Sequence, residues 1–298
     1  MMSRYTFVST LLALAASELP LLADPLFIER SPDETGVDFT HVFDAQHPSA
    51  FLYYSGSAVG AICMGDVDND GLLDLYTAGA AGENRLWRNK GELKFSNVTP
   101  DTLTGAKTWG TGACLVDIDN DGDLDLYQCN WNDENQLFLN DGKGGFTEIA
   151  GAAGLNIKDA SIQASFADID NDGDLDMFLL CNELYSPTGR PKQTPILPGK
   201  GMPKIDPEYR KHYKVELGED NKYGIEEYGR KDYLFLNLGK DANGTPRFKD
   251  VSFESGVQLE GFGLSSVWWD YDLDGDLDLY VANDFSDPDR LFRNDGLN

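Results

Sequence analysis

Apolar residues in this chain fall in short, β-prone runs and not at helical spacing. One run covers residues 112–116, an acidic stretch follows, and a second run covers 124–129. A third surrounds Leu137-Phe-Leu-Asn140 and a fourth surrounds Phe146. The pattern predicts four short strands joined by turns. It recurs: Leu86-Trp-Arg-Asn89, Leu234-Phe-Leu-Asn237 and Leu291-Phe-Arg-Asn294 repeat the third run, and Phe95 and Phe248 repeat the fourth.

The acidic stretches fix the period. They begin at 66, 117, 168 and 270, so two intervals of 51 residues precede one of 102. From stretch to marker Leu the distances are 20, 20, 66 and 21, from that Leu to the Phe 9, 9 and 14, and from Phe to the next stretch always 22. The long interval is therefore a single repeat carrying insertions of about 46 and 5 residues, with no repeat lost. Four short strands per unit of this length predict an all-β chain, a β-propeller of four-stranded blades. Radial packing suits such sheets because each blade covers its neighbour's face.

The expected organisation is a propeller over 24–298, with blade repeats near 60–98, 111–149, 162–251 and 264–298 and an insertion at 185–230. Residues 27–39, from Phe27 through Gly36 to Phe39, resemble the segment from Phe248 to Gly256, a fourth strand without its own first three. That strand either closes a four-bladed ring against the last blade or belongs to a longer propeller. The insertion holds six of the thirteen prolines, with nine Lys or Arg against seven acids. It is expected either to pack on the acidic rim or to act as a partner-binding lid.

Each acidic stretch reads D-x-D-x-D-G-x-L-D. The oxygen donors at positions 1, 3, 5, 7 and 9 are Asp66, Asp68, Asp70, Leu72 and Asp74; Asp117, Asp119, Asp121, Asp123 and Asp125; Asp168, Asp170, Asp172, Asp174 and Asp176; and Asp270, Asp272, Asp274, Asp276 and Asp278. Crowded carboxylates, a backbone carbonyl at position 7 and a Gly for the sharp turn at position 6 suit Ca2+, about four ions in all. Leu72 fits this scheme if position 7 ligates through its backbone. Magnesium wants stricter geometry and keeps its waters, and no Cys or His lies in a loop to favour zinc or copper. An EF-hand needs Glu at position 12, where this chain has Thr77, Gln128, Leu179 and Val281. The alternative is an acidic surface turn without metal, which four copies in register argue against.

Charge then narrows the partners. The net charge is −27, and 19 of the 51 acidic residues lie in the loops. Such a surface repels phosphate backbones, so nucleic acid is disfavoured. Arg4, an apolar run at 7–16 and small residues at Ala16, Ser17 and Ala23, with cleavage after Ser17 or Ala23, predict a secretory signal peptide over 1–23. No run is long enough to span a membrane. Export to the outside, the cell surface or a periplasm also suits calcium, which is abundant there. Cys63, Cys114, Cys129 and Cys181 are too few for a disulfide scaffold, although Cys114 and Cys129 flank one loop and could face each other across a hairpin.

These loops, with lead-ins Gly110-Thr-Gly112 and Gly261-Phe-Gly263, resemble FG-GAP/VCBS repeats. The Glu-Ser-Gly-Val phrase, the Leu-Phe-x-Asn markers and the Pro/Tyr-rich insertion resemble the cartilage-acidic-protein-like branch. The resemblance implies calcium bound between the first two strands of each blade, and a propeller of roughly seven blades of which this chain carries about four. It also implies a binding or adhesion role. Among the three histidines, His41, His47 and His212, none sits in a metalloprotease motif, and no nucleophile elbow or P-loop occurs. A carboxylate held ionised by a cation is a poor general acid. The expectation is therefore an exported, non-enzymatic module for an extracellular protein or glycan, with calcium mainly structural and contact through 185–230. The alternative is a propeller glycoside hydrolase or lyase acting on polysaccharide.

Overall fold

The computed structural model of the chain describes residues 26–54, 60–105, 108–184, 195–197, 199, 201–218, 220–284 and 287–296. The expected signal peptide lies outside the described residues. After a one-turn helix α1 (Pro32–Thr35) and a 3-10 turn (Ala50–Tyr54), the chain enters its first blade: β1 (Ala61–Gly65), β2 (Asp74–Ala78), β3 (Arg85–Asn89) and β4 (Phe95–Asn97), antiparallel in sequence order. Blade 2 is β5 (Gly110–Val116), β6 (Asp125–Glu134), β7 (Gln136–Asn140) and β8 (Phe146–Glu148), followed by the one-turn helix α2 (Ala150–Ala153). Blade 3 opens with β9 (Lys158–Ala167) and β10 (Asp176–Cys181).

The insertion follows β10 and contributes β11 (Ile196–Leu197), β12 (Lys204–Ile205), β13 (Tyr213–Leu217), β14 (Tyr223–Glu227) and β15 (Arg230–Lys231). β11–β12 and β13–β14 are two small hairpins. β16 (Tyr233–Lys240) and β17 (Pro246–Asp250) then complete blade 3. β18 (Glu260–Gly261) leads into blade 4, which comprises β19 (Gly263–Trp269), β20 (Asp278–Asn283) and β21 (Arg290–Phe292). The chain folds as a β-propeller arc.

Alternation along the second strand of each blade explains how both faces are buried. Leu126 joins Tyr76, Leu86, Phe138 and Phe146 in the core between blades 1 and 2. Its neighbour Tyr127 points the other way, into a core with Leu137, Met177, Leu179 and Phe235 between blades 2 and 3. In β10, Met177 and Leu179 face blade 2, whereas Phe178 and Leu180 join Leu234, Leu279 and Val281 under blade 4. All six residues of β10 are consequently buried.

The glycine lead-ins mark where inner strands nearly touch the neighbouring blade. A Cβ on Gly263 would stand 2.7 Å from the Cys181 carbonyl oxygen, so even Ala is excluded there without backbone movement.

The structure adds three details. β6 runs on to Glu134 and pairs with the start of β9, Trp131 opposite Ala160, which joins blades 2 and 3 into one eight-stranded sheet. The N-terminal segment lies along blade 1. Lys94 donates to the Glu34 carbonyl, and Gly36 sits against the Phe95 carbonyl much as Gly154, after α2, sits beside that of Phe248. This segment therefore occupies the place of a fourth strand preceding blade 1 and does not pair with β21, so among the described residues no four-bladed ring closes. Blade 1 accordingly exposes Ile62 and Met64, and blade 4 exposes Val267 and Trp269. Finally, all four cysteines are free. Cys129 pairs with Gly112 while Cys114 pairs with Tyr127, so the two thiols are staggered across the hairpin. Burial pushes the Cys114 thiol up to about 11.

Candidate metal centres

Each acidic loop is the turn between the first and second strands of a blade. The pairs Gly65–Asp74, Val116–Asp125, Ala167–Asp176 and Trp269–Asp278 close it, so position 9 is the first residue of the second strand. The Gly at position 6 adopts φ of 86°, 92°, 95° and 102° in Gly71, Gly122, Gly173 and Gly275. Nothing lies within 4 Å of where a Cβ would be, so Gly is required there by conformation and not by space.

The carboxylates divide the work. Position 1 accepts the amides of positions 5 and 6, as in Asp121 N–H to Asp117 Oδ1 at 3.1 Å and Gly122 N–H to Oδ2 at 3.0 Å. Position 5 accepts the amide of position 7, as in Asp174 N–H to Asp172 at 2.9 Å. Position 9 is buried, and each of its oxygens accepts one backbone amide. Asp125 Oδ2 takes the Ile118 amide at 3.0 Å and Oδ1 the Asn140 amide at 2.8 Å, and Asp74, Asp176 and Asp278 repeat the arrangement with Asn89, Asn237 and Asn294. Burial raises the Asp125 carboxyl to about 7 and that of Asp176 to about 6, although both accept backbone N–H groups that favour the charged form.

Position 3 is different. Asp68 Oδ2 pairs with Arg88 at 2.6 Å and Asp119 Oδ2 with Lys240 at 3.2 Å. Their Oδ1 atoms, and that of Asp170, are buried with no partner. These side chains are only 10% and 7% exposed in Asp68 and Asp119, so the orphaned oxygens cannot be excused as solvated. Burial and then neighbouring carboxylates push the Asp170 carboxyl upward. Carboxylate oxygens from Asp66, Asp68 and Asp70 lie within 4.8 Å of one another, as do those of Asp117, Asp119 and Asp125, of Asp168, Asp170 and Asp176, and of Asp270, Asp272 and Asp278. These clusters could hold metal ions.

The position-7 side chains of Asp123, Asp174 and Asp276 lie outside those clusters. Each accepts a hydrogen bond from the position-4 Asn of the preceding loop: Asn69 at 2.6 Å, Asn120 at 2.8 Å and Asn171 at 2.9 Å. The marker Asn also links loops, a task that spacing along the chain does not show. Asn140 Nδ2 donates to the Leu124 carbonyl of its own loop at 3.0 Å and to the Val67 carbonyl of the preceding loop at 2.8 Å. Asn237 and Asn294 likewise reach Ile118 and Ile169. Strict recurrence of these asparagines was the available signal. Their targets lie in other repeats, which spacing cannot show.

Two carboxylates outside the loops are structural ties. Asp159 takes Arg230 Nη2 at 2.8 Å and the Tyr233 hydroxyl at 2.9 Å. Asp232, raised to about 7 by burial, accepts the Cys181 amide at 2.8 Å. The described part of the insertion docks on the rim: Lys214 Nζ lies 3.7 Å from Glu260, which also accepts the Tyr228 hydroxyl at 3.0 Å.

The family described as FG-GAP-like repeat matches residues 66–128 and 117–179, spans that begin at the first two loops and together cover the first three. The chain carries FG-GAP-like repeats. Cartilage acidic protein 1 of Xenopus tropicalis is 31% identical over 39% of this chain and 18% of its own length. The Homo sapiens protein of the same name is 23% identical over 80% of this chain and 30% of its own length. The chain therefore spans less than a third of the curated relatives it matches, and it is similar in sequence to cartilage acidic protein 1. A crystal structure of BBS1N in complex with ARL6DN, soaked with lead, overlays with a TM-score of 0.26 at 12% identity, covering 74% of this chain and 75% of that one. That score is too low to bear on the fold. Among the described residues, no helix is long and apolar enough to cross a membrane.

Proposed function

We propose that this chain is a calcium-stabilised propeller module that binds a protein or glycan partner outside the cell, with calcium structural in its loops. The observation that carries the metal assignment is the unpartnered, buried Oδ1 of Asp68, Asp119 and Asp170, each within an acidic turn. A buried carboxylate oxygen without a donor is costly, and a cation beside it removes the cost. The proposed donor set is oxygen only: carboxylates at positions 1, 3, 5 and 9 and the carbonyl of position 7, whose side chain in the second, third and fourth loops is bonded to the preceding loop's Asn. Hard ligands in a flexible turn suit Ca2+ better than Mg2+. Outside the cell that ion would be available to tie the first strand of each blade to the second.

The module role rests on the FG-GAP repeats and on sequence similarity to cartilage acidic protein 1. The insertion is the proposed contact surface, because it breaks the acidic rim with prolines, tyrosines and basic residues. Isothermal titration with calcium and with magnesium tests the metal. Saturable uptake of about four calcium ions at submillimolar affinity, with magnesium weaker, is expected, and equal weak binding of both would overturn the assignment. A glycan array and pull-down from extracellular matrix, each with and without residues 185–228, test the partner. Binding that survives the deletion removes the insertion from the contact surface, and release of oligosaccharide would show an enzyme instead.

A further inference from the structure

We propose that the loops take up calcium as a coupled array, with the position-4 Asn of one loop and the position-7 Asp of the next as the coupling pair. The inference rests on the loops being calcium sites and adds how those sites communicate.

Three such pairs occur, Asn69–Asp123, Asn120–Asp174 and Asn171–Asp276, at 2.6, 2.8 and 2.9 Å. Asn120 Nδ2 also reaches the Gly173 carbonyl at 3.1 Å. Each Asn is left-handed, with φ of 56°, 57° and 60°, and stands between the carboxylates of positions 3 and 5. Pinning its side chain therefore fixes the backbone that presents two ligands. The anchoring Asp is itself held by its own loop, since its amide donates to position 5 and its carbonyl is the proposed fifth ligand. A cation in one loop thus steadies the anchor that orders the loop before it, and reciprocity requires the converse.

Loop 1 has Leu72 at position 7, with no Asn donating to it among the described residues, and loop 4 has Leu273 at position 4, 86% exposed at φ 63°. Neither Leu side chain can make this hydrogen bond. The negative charge of a position-7 Asp also sits between adjacent cation sites, where it offsets their mutual repulsion. The marker Asn residues give a second tether, from position 9 of one loop to the position-2 carbonyl of the loop before.

The chain supplies its own substitutions for a test. Asp174→Leu copies Leu72 and Asn120→Leu copies Leu273, so both replacements already occur at the same loop positions. Calcium titration of the full chain should give a wild-type isotherm with a Hill coefficient of about 1.5 or more. Either variant should keep the number of ions while its weakest step loses about five- to tenfold in affinity and the Hill coefficient falls. The double variant should be no worse than either single one. Wild-type and variant isotherms that coincide, with binding intact, overturn the coupling alone. A wild type that binds no calcium overturns the calcium assignment, and the coupling with it.

Discussion

At the scale of single residues, the loop is a set of carboxylates with different tasks, and substitutions should separate them. Asp125 has both oxygens on backbone amides, so Asp125→Asn must turn an NH2 towards an N–H. A loss of about 1–3 kcal/mol is expected in chemical denaturation even with chelator present, because the defect is in the protein scaffold. Asp119→Asn leaves those amides alone and should instead weaken calcium uptake while changing the chelated melt little. Asp232 offers a pH test away from the loops. Burial holds its carboxyl near 7, above its ordinary value of 3.8, with Asp159 pushing it up further and Arg290 and the Cys181 amide pulling down. The folded state therefore binds the proton more tightly than the unfolded one. Its contribution is fully present below pH 3.8 and is lost as pH rises towards 7. Asp232→Asn keeps an acceptor for Cys181 and should be more stable than wild type at pH 8 by about 1–3 kcal/mol, and indistinguishable near pH 4, in urea titrations with chelator.

At the scale of elements, the marker asparagine is a splice between blades. Asn140→Ala removes side-chain bonds to Leu124 and Val67 and should cost about 1–3 kcal/mol in thermal or urea unfolding, whereas a comparable change at an exposed loop Asn such as Asn243 should cost under about 0.5 kcal/mol. The insertion is closed at its base by the Glu183–Gly229 bridge and the Arg230 amide on the Asn182 carbonyl at 2.7 Å. Replacing 185–228 by a short Gly-Asn turn should then leave cooperative unfolding intact, with Tm lowered by a few degrees for the lost Glu260 contacts. Much of this level was legible beforehand. The 51-residue period and the invariant Phe-to-loop distance place the strands, because spacing along the chain records contacts within a blade. Contacts between blades leave no such record. The pairing of β6 with β9, the Asn–Asp relay and the position of residues 27–36 beside blade 1 all depend on how neighbouring repeats are set, which no single repeat encodes.

At the scale of the whole molecule, 19 loop carboxylates in a chain of net charge −27 repel one another unless counterions sit among them. Four calcium ions would remove eight of those charges and satisfy the orphaned oxygens of Asp68, Asp119 and Asp170. With a Kd of ~0.1 mM and calcium at ~1 mM, each independent site contributes ~1.4 kcal/mol by mass action. Four such sites reach roughly the 5–15 kcal/mol that separates a typical domain from its unfolded state. Coupling between loops would concentrate that gain over a narrower calcium range. The most direct measurement is the thermal melt of the full chain in millimolar calcium, in excess EGTA, and in EGTA with calcium restored. The loops as described predict a Tm lower by about 10 °C or more in EGTA and full recovery on restoring calcium. A melt that EGTA leaves unchanged would show that the four loops are acidic turns without a structural ion.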